Sequence, residues 1–447
     1  MLIKQFEDKA LAHYSYAIVS EDKMAVVDPA RNPEPYYNLA EEHNAKIVAV
    51  FETHPHADFV SSHLQIHQET SATIYASKLV GADYPHKSFD EGDHFTMNQI
   101  NFRAIHTPGH SPDGITIIAA DGEEQAMFSG DTLFIGDVGR PDLREKAGNL
   151  KAKRQELAEM MYETITTKFN DLSDDVLIYP AHGAGSLCGK NMSDAASSTL
   201  GNERTGNWAF QAKSKEEFVE EILKGQPFIP HYFGHDVEIN KTGAKTFKTA
   251  VANIDVKLNI EEFDADALVV DTRDQESFSN NHLPNSINIM ARSESDKIET
   301  WLGAIVKPNE EFYLVVDHYN SIEDLSARIA KIGYESQIKA ILTLGNTQFE
   351  KDTQQLDYSN FKNNPDQYTI IDIRNENEFT DQKFFNQAEN HPLNELRETT
   401  QNIDTSKPIV VHCAGGYRSA AGSSIVKNNL ENAEVYDLSD RIEDFKS

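Results

Sequence analysis

The chain has 447 residues, enough for roughly two to four domains with cores of their own. Asp and Glu number 72 against 41 Lys and Arg, and the resulting net charge of −31 disfavours nucleic acid and anionic membrane as partners, because both are polyanions. No apolar run approaches the ~20 residues of a membrane span, and residues 1–7 hold no basic stretch leading into an apolar core, so a cytoplasmic location is expected.

Residues 16–19 and 24–30 read as short strands, followed by a helix and then by the apolar run 47–51. That run leads into Thr53-His54-Pro55-His56-Ala57-Asp58-Phe59, which sets metal-type side chains at alternate positions past a strand. Taken alone, H-x-H-x-D is often a solvated loop. The pattern recurs, however: 100–105 leads into Thr107-Pro108-Gly109-His110, 125–128 into Ser129-Gly130-Asp131, and 176–179 into Pro180-Ala181-His182. Four strand-like runs that each end in His or Asp point to a convergent metal site at the carboxyl ends of strands. Between the third and fourth lies a loop, 136–142, whose Arg140 is suited either to a carboxylate or sulfur anion or to a structural ion pair. Leu157, Met161, Ile165 and Phe169 follow at helical spacing and are expected in the core.

Only two cysteines occur, Cys188 and Cys413, too far apart in sequence to suggest a disulfide framework. Cys188 stands six positions beyond His182, near enough to bring sulfur to the metal site, although a free Cys is more often a small buried hydrophobe. A linker is expected near 235–255. Beyond it, Asp271-Thr272-Arg273 with Phe278 recurs as Asp372-Ile373-Arg374 with Phe379, a repeat of 101 residues and hence of one small α/β domain. The polar stretch 351–366 is expected to divide the copies. In the last copy the run 409–412 ends at Cys413-Ala414-Gly415-Gly416-Tyr417-Arg418-Ser419, where two glycines allow the backbone N–H groups to turn inward. A helix N-terminus and Arg418 add positive potential, a setting suited to a thiolate or persulfide anion at Cys413. Aligning 314–317 with 409–412 sets His318 opposite Cys413 and Glu323 opposite Arg418, so the middle copy is expected to be structural.

The motifs T-H-x-H-A-D, T-P-G-H-S, S-G-D-T-L-F and P-A-H-G resemble the metallo-β-lactamase superfamily, and the second half is similar to a pair of rhodanese domains. The resemblance implies α/β architecture: an αββα sandwich over 1–240, a degenerate rhodanese domain over 241–350 and an active one over 351–447. Binuclear hydrolases of this superfamily read H-x-H-x-D-H, whereas this chain has Phe59 in the last place, and a phenyl ring offers no lone pair. Its single-metal members resemble the persulfide dioxygenases, which implies one Fe(II) per chain on His54, His110 and Asp131. His56, Asp58 and His182 would then orient ligands or hold water, though zinc binding by them stays open. The loop around Arg140 is similar to one beside the iron in that branch, and the segment around Cys188 matches dioxygenases that carry sulfurtransferase domains. C-x₄-R at Cys413 and Arg418 is shorter than the C-x₅-R cradle of tyrosine phosphatases and suits sulfur, as in active rhodaneses. The implied activity is oxidation of a low-molecular-weight thiol persulfide by O₂ to sulfite, with Cys413 passing sulfane sulfur to sulfite to give thiosulfate. The implied partners are the persulfide, O₂ and sulfite, in a homo-oligomer. A zinc-dependent thioester hydrolase like glyoxalase II is the alternative.

Overall fold

Residues 16–19, 24–27 and 47–51 are apolar on both strand faces, and this is what places the N-terminal sheets inside layers of helix. In the computed structural model, which describes residues 1–143, 154–258, 263–345, 347–351, 355–430 and 432–446, the first sheet runs β1 (Leu2–Asp8), β2 (His13–Ser20), β3 (Lys23–Val27), β4 (Lys46–Phe51), β5 (Thr73–Ala76) and β6 (Lys87–Ser88) in sequence order. The second sheet holds β7 (His94–Met97), β8 (Ile100–His106), β9 (Ile115–Asp121), β10 (Glu124–Gly130), β11 (Leu177–Pro180) and β12 (Ser198–Thr199), again in order from one edge to the other. Ile18, Phe51, Phe102, Ile117 and Phe128 fill the space between the sheets, while Val19, Val26 and Val50, one position away, meet the outer helices. Period-2 side-chain alternation thus makes an αββα sandwich from strands that read as nearly continuous apolar runs. Leu157, Met161, Ile165 and Phe169 are buried, as their spacing suggests, along a helix at Arg154–Glu163 that continues through a wider turn at Thr164–Lys168.

Two compact units account for the chain: Met1–Thr249 with Lys331–Gly333, and Ala250–Ala330 with Tyr334–Ser447. The expected linker at 235–255 is largely helical, with helices at Phe233–Thr242 and Phe247–Ala252. The second unit holds two parallel sheets. One contains β13 (Val256–Leu258), β14 (Leu268–Asp271), β15 (Ser286–Asn288), β16 (Phe312–Val315) and β17 (Ile338–Thr343) in the order β13-β17-β16-β14-β15. The other contains β18 (Thr369–Asp372), β19 (Glu389–Asn390), β20 (Ile409–His412) and β21 (Val435–Asp437) in the order β19-β18-β20-β21. The two share the same buried polar contacts. Asp271 binds Arg273 as Asp372 binds Arg374, and the two guanidinium groups donate to the carbonyls of Asn281 and Gln382 at 2.6 and 2.7 Å. Asn288 and Asn390 each donate to the carbonyls of both members of their Asp/Arg pair.

The same frame corrects the sequence alignment of the copies. Asp271 pairs with Val315 where Asp372 pairs with His412, so the residue opposite Cys413 is Val316, two positions before His318. Val316 is buried, whereas the His318 side chain is 79% exposed beside Asp317. The alignment failed because three apolar residues in a row leave the register of a buried strand free to slip. Part of the dividing stretch 351–366 is also structured: a helix at Tyr358–Asn363 sends Phe361 into the C-terminal core, while 352–354 lie outside the described residues. Among the described residues no helix is long and apolar enough to cross a membrane.

Candidate metal centre and cysteine cradle

β4, β8, β10 and β11 deliver their terminal residues to one place. His54, His110 and Asp131 are buried and offer ligand atoms within 4.8 Å of one another. Gly130 makes this possible: its φ is +54°, and a Cβ there would lie 2.5 Å from Thr53 Oγ1, so only glycine lets the end of β10 close on the His54 loop. Each imidazole is oriented from behind. Thr53 Oγ1 donates to Asp28 Oδ2 at 2.8 Å and so accepts from His54 Nδ1 at 3.0 Å, while His110 Nδ1 donates to the Arg140 carbonyl at 2.9 Å. These bonds set both tautomers, leaving the Nε2 lone pairs 3.8 and 3.5 Å from Asp131 Oδ2. Asp131 Oδ2 is buried and receives no hydrogen bond among the described residues. Two lone pairs and an unsatisfied carboxylate oxygen facing each other inside a protein fit a cation.

His182 lies behind Asp131, with Nδ1 2.7 Å from Asp131 Oδ1 and Nε2 2.8 Å from Asp58 Oδ2. Burial alone would lower its pKa, but the two carboxylates outweigh burial and raise it well above the ordinary imidazole value. Burial would likewise raise Asp131, but His182, then His110 and His54, hold it well below the ordinary carboxylate range. Phe59 is 1% exposed, and its ring packs on His13 and His56 with centroids 3.9 and 4.4 Å apart. His56 turns instead toward Asp28, at 3.2 Å, and forms a second acidic cluster with Asp28 and Glu52. A third cluster joins Asp58, His182 and Cys188. Cys188 is therefore beside the centre, as its spacing suggests; burial, reinforced by Asp58 and Asp131, pushes its thiol up.

Of the two readings of Arg140, the structure supports the ion pair over the anion-binding role. Its guanidinium is bidentate to Asp142 at 2.7 and 2.8 Å and donates to the carbonyls of Leu187, Phe228 and Pro227. With those donors engaged, the residue serves the centre through its carbonyl instead. Sequence reasoning also missed Asn240, buried in the helix at Phe233–Thr242. Its amide donates to the carbonyls of His56 and Phe59 at 2.9 and 2.7 Å and accepts from the Ser61 N–H at 2.8 Å, bracing the loop that carries the H-x-H-x-D motif. Phe233, Asp236, Val237 and Asn240 are its buried residues, a helical stripe half made of polar side chains. A search for apolar periodicity alone passes over it.

In the C-terminal copy β20 ends at His412, and the next residue, Cys413, is 1% exposed, with its sulfur 3.1 Å from the Gly416 N–H that donates to it. Gly416 has φ +94°, and a Cβ would fall 2.8 Å from the Asp440 nitrogen, so the cradle requires glycine there. Tyr417 starts a helix running to Asn429, which aims its N-terminus at the loop. Arg418 stands beside the loop, where Glu378 accepts two hydrogen bonds from it at 2.6 and 2.7 Å. A cavity of about 340 Å³ opens over the sulfur, lined by Cys413, Gly415 and Arg418 and, from the middle copy, by Asp296, Lys297 and Trp301.

A His-His-Asp centre at the strand ends of an αββα sandwich, followed by two α/β copies of which the second cradles a thiol, is the architecture of a metallo-β-lactamase-fold protein with rhodanese-like domains. Residues 8–182 match the metallo-beta-lactamase superfamily model, and 254–351 and 357–447 each match the rhodanese-like domain. Over 231 residues the chain is 30% identical to a cytoplasmic hydroxyacylglutathione hydrolase of Arabidopsis thaliana, covering 48% of this chain and 83% of that one. A hydroxyacylglutathione hydrolase of Haemophilus influenzae is 26% identical over 215 residues, covering 43% of this chain and 90% of that one. The crystal structure of a metallo-beta-lactamase from Staphylococcus aureus subsp. aureus COL superposes with a TM-score of 0.67 at 30% identity, covering 76% of this chain and 99% of that one. The chain belongs to the metallo-beta-lactamase superfamily.

Proposed function

We propose that the chain oxidises the persulfide of a low-molecular-weight thiol with O₂ to sulfite, using one Fe(II) held by His54, His110 and Asp131, and that Cys413 carries sulfane sulfur to sulfite, giving thiosulfate. The observation that carries this reading is the closure of the space beside the triad: Phe59 fills it against His13 and His56, and His182 is spanned between Asp131 and Asp58. A non-haem Fe(II) held by these two imidazoles and one carboxylate would supply the redox chemistry that activates O₂ toward the persulfide. The protein's share is to orient the imidazoles through Thr53 and the Arg140 carbonyl, and to hold Asp131 through His182.

At the second site the Cys413 thiolate attacks the outer sulfur of a persulfide, the S–S bond breaks, and the carrier thiolate leaves with the electron pair. The lone pair of sulfite then attacks the outer sulfur of the Cys413 persulfide. Thiosulfate departs and the Cys413 thiolate is restored, with the Gly416 N–H steadying the anionic sulfur.

Zinc-dependent thioester hydrolysis is the second reading. It draws on the hydroxyacylglutathione hydrolases among the relatives and on the Asp58, His182 and Cys188 cluster, which offers a second group of three ligand atoms. Metal analysis of protein made in iron-replete cells, combined with an oxygen electrode, separates the two. We expect one iron per chain with persulfide-dependent O₂ uptake. Two zinc ions supporting thioester hydrolysis, with no such uptake, would sink the dioxygenase reading. Phe59→His should admit a second metal without raising O₂ uptake.

A further inference from the structure

We infer that Asp437 and Gln275 are positioning residues for Cys413: with Ser439 they close a ring of hydrogen bonds that fixes the bend at Ser439–Asp440, on which the cysteine cradle rests. The inference rests on the assignment of Cys413 as the sulfur carrier. The Gly416 N–H donates to Cys413 Sγ at 3.1 Å, so whatever sets the backbone at Gly416 sets the support that the anionic sulfur receives during transfer. Gly416 has φ +94°, and a Cβ there would lie 2.8 Å from the Asp440 nitrogen and 2.9 Å from the Ser439 carbonyl carbon. The bend is thus in direct backbone contact with the cradle. From the other side Ser419 Oγ donates to the Gly416 carbonyl at 3.0 Å, which leaves the bend as the second support.

Local structure alone does not hold that bend. Leu438 and Ile442 are buried in the core of the last copy and anchor its two ends, but Ser439 between them has φ +51°, a left-handed conformation that a residue with a Cβ adopts at a cost. A cavity of about 610 Å³ runs along the same stretch, with Gln275, Asp437, Ser439 and Asp440 in its lining, so close packing does not supply the restraint on that side. Hydrogen bonds do. Asp437 Oδ1 accepts from the Ser439 N–H at 2.7 Å, and Asp437 Oδ2 accepts from Gln275 Nε2. Gln275 Oε1 accepts in turn from Ser439 Oγ at 2.9 Å, which closes the ring. Gln275 is well placed to do this, because it opens the helix Gln275–Asn280, whose first turn is capped by the Asp274 side chain. It also has to be an amide. The residue that opens the matching helix of the last copy is Glu376, an exposed carboxylate, and a carboxylate at 275 would face that of Asp437.

The test uses the full chain and the transfer of sulfur from thiosulfate to cyanide, read as thiocyanate. Gln275→Ala should lower kcat about tenfold with the KM for thiosulfate nearly unchanged, part of the roughly 100- to 1,000-fold lost when such a donor is deleted outright. Iodoacetamide modification of Cys413, followed by the mass of its peptide, should be slower than in the wild type at about pH 7 and equal to it at about pH 10, where thiols ionise with or without a donor. Mere loosening of the fold would speed modification at both. Gln275→Glu should lose as much as Gln275→Ala, and adding Asp437→Asn to it should restore kcat, because the new amide can donate to the new carboxylate while Ser439 keeps both its acceptors. Should Gln275→Ala fail to fold, the comparison of Gln275→Glu with the double variant decides. Wild-type kcat and wild-type modification in Gln275→Ala, while Cys413→Ser is inactive, overturn the inference alone. A double variant no better than Gln275→Glu overturns it too, because only the bulk of the junction would then matter. Thiocyanate formation that survives in Cys413→Ser overturns the carrier assignment and the inference with it.

Discussion

Given a thiol persulfide and O₂, the Cys413→Ser variant should accumulate sulfite where the wild type forms thiosulfate. The substitution keeps the volume nearly constant and leaves the Gly416 N–H with an oxygen to meet, so the cradle should survive. A serine hydroxyl stays protonated at neutral pH and cannot carry sulfane sulfur. Sulfur transfer from thiosulfate to cyanide should therefore fall on the order of a thousandfold or more, the scale of losing a covalent nucleophile. O₂ uptake should persist, because the His54, His110 and Asp131 centre is built in the other compact unit. His318→Ala, at an exposed position, should leave the product ratio unchanged. Thiosulfate formation by Cys413→Ser at the wild-type rate, after subtraction of the spontaneous reaction of sulfite with persulfide, would refute this division of labour, and Cys188 would become the better candidate for the carrier.

Asp131→Ala should cost metal and persulfide-dependent O₂ uptake together. The carboxylate is the only anionic member of the triad, and its other oxygen holds His182, so its loss removes a ligand and leaves the His182 imidazole held by Asp58 alone. Removing an outer partner of a metal ligand typically lowers affinity 10–100-fold, so loss of the ligand itself should lower it by at least about 100-fold. Thiosulfate–cyanide transfer should survive in the same protein. Normal metal content together with wild-type O₂ uptake in this variant would show the ligand set to be wrong.

The strands that carry the centre were legible because strand and motif coincide: apolar runs at 47–51, 100–105, 125–128 and 176–179 end where His54, His110, Asp131 and His182 begin, and β4, β8, β10 and β11 fall there. The repeat was legible for the same reason, since Asp271/Arg273 and Asp372/Arg374 are buried ion pairs that tolerate little variation in spacing. What escaped was polar burial. Asn240 sat in a stretch rich in turn-forming residues, and nothing in its local sequence reveals three backbone partners some 180 positions away. The direction of the Arg140 side chain depended on carbonyls from 187, 227 and 228, which no local pattern encodes. That Lys297 and Trp301 line the cavity at Cys413 escaped because they belong to one copy and the cysteine to the other.

Asn240 also settles where the metal-binding half can be cut. A version ending at residue 239 keeps every proposed ligand and every strand of the sandwich, and on hydrophobic content alone it should fold as well as a longer one. It would nevertheless strand the carbonyls of His56 and Phe59 and the N–H of Ser61 in the interior, each at a cost of about 1–3 kcal/mol if no water reaches it. A shorter metal-binding piece therefore has to run past Asn240, to Thr249 at least, where the first segment of its compact unit ends, and a weak or metal-poor product from a piece cut before Asn240 would reflect an unbraced loop rather than a missing ligand.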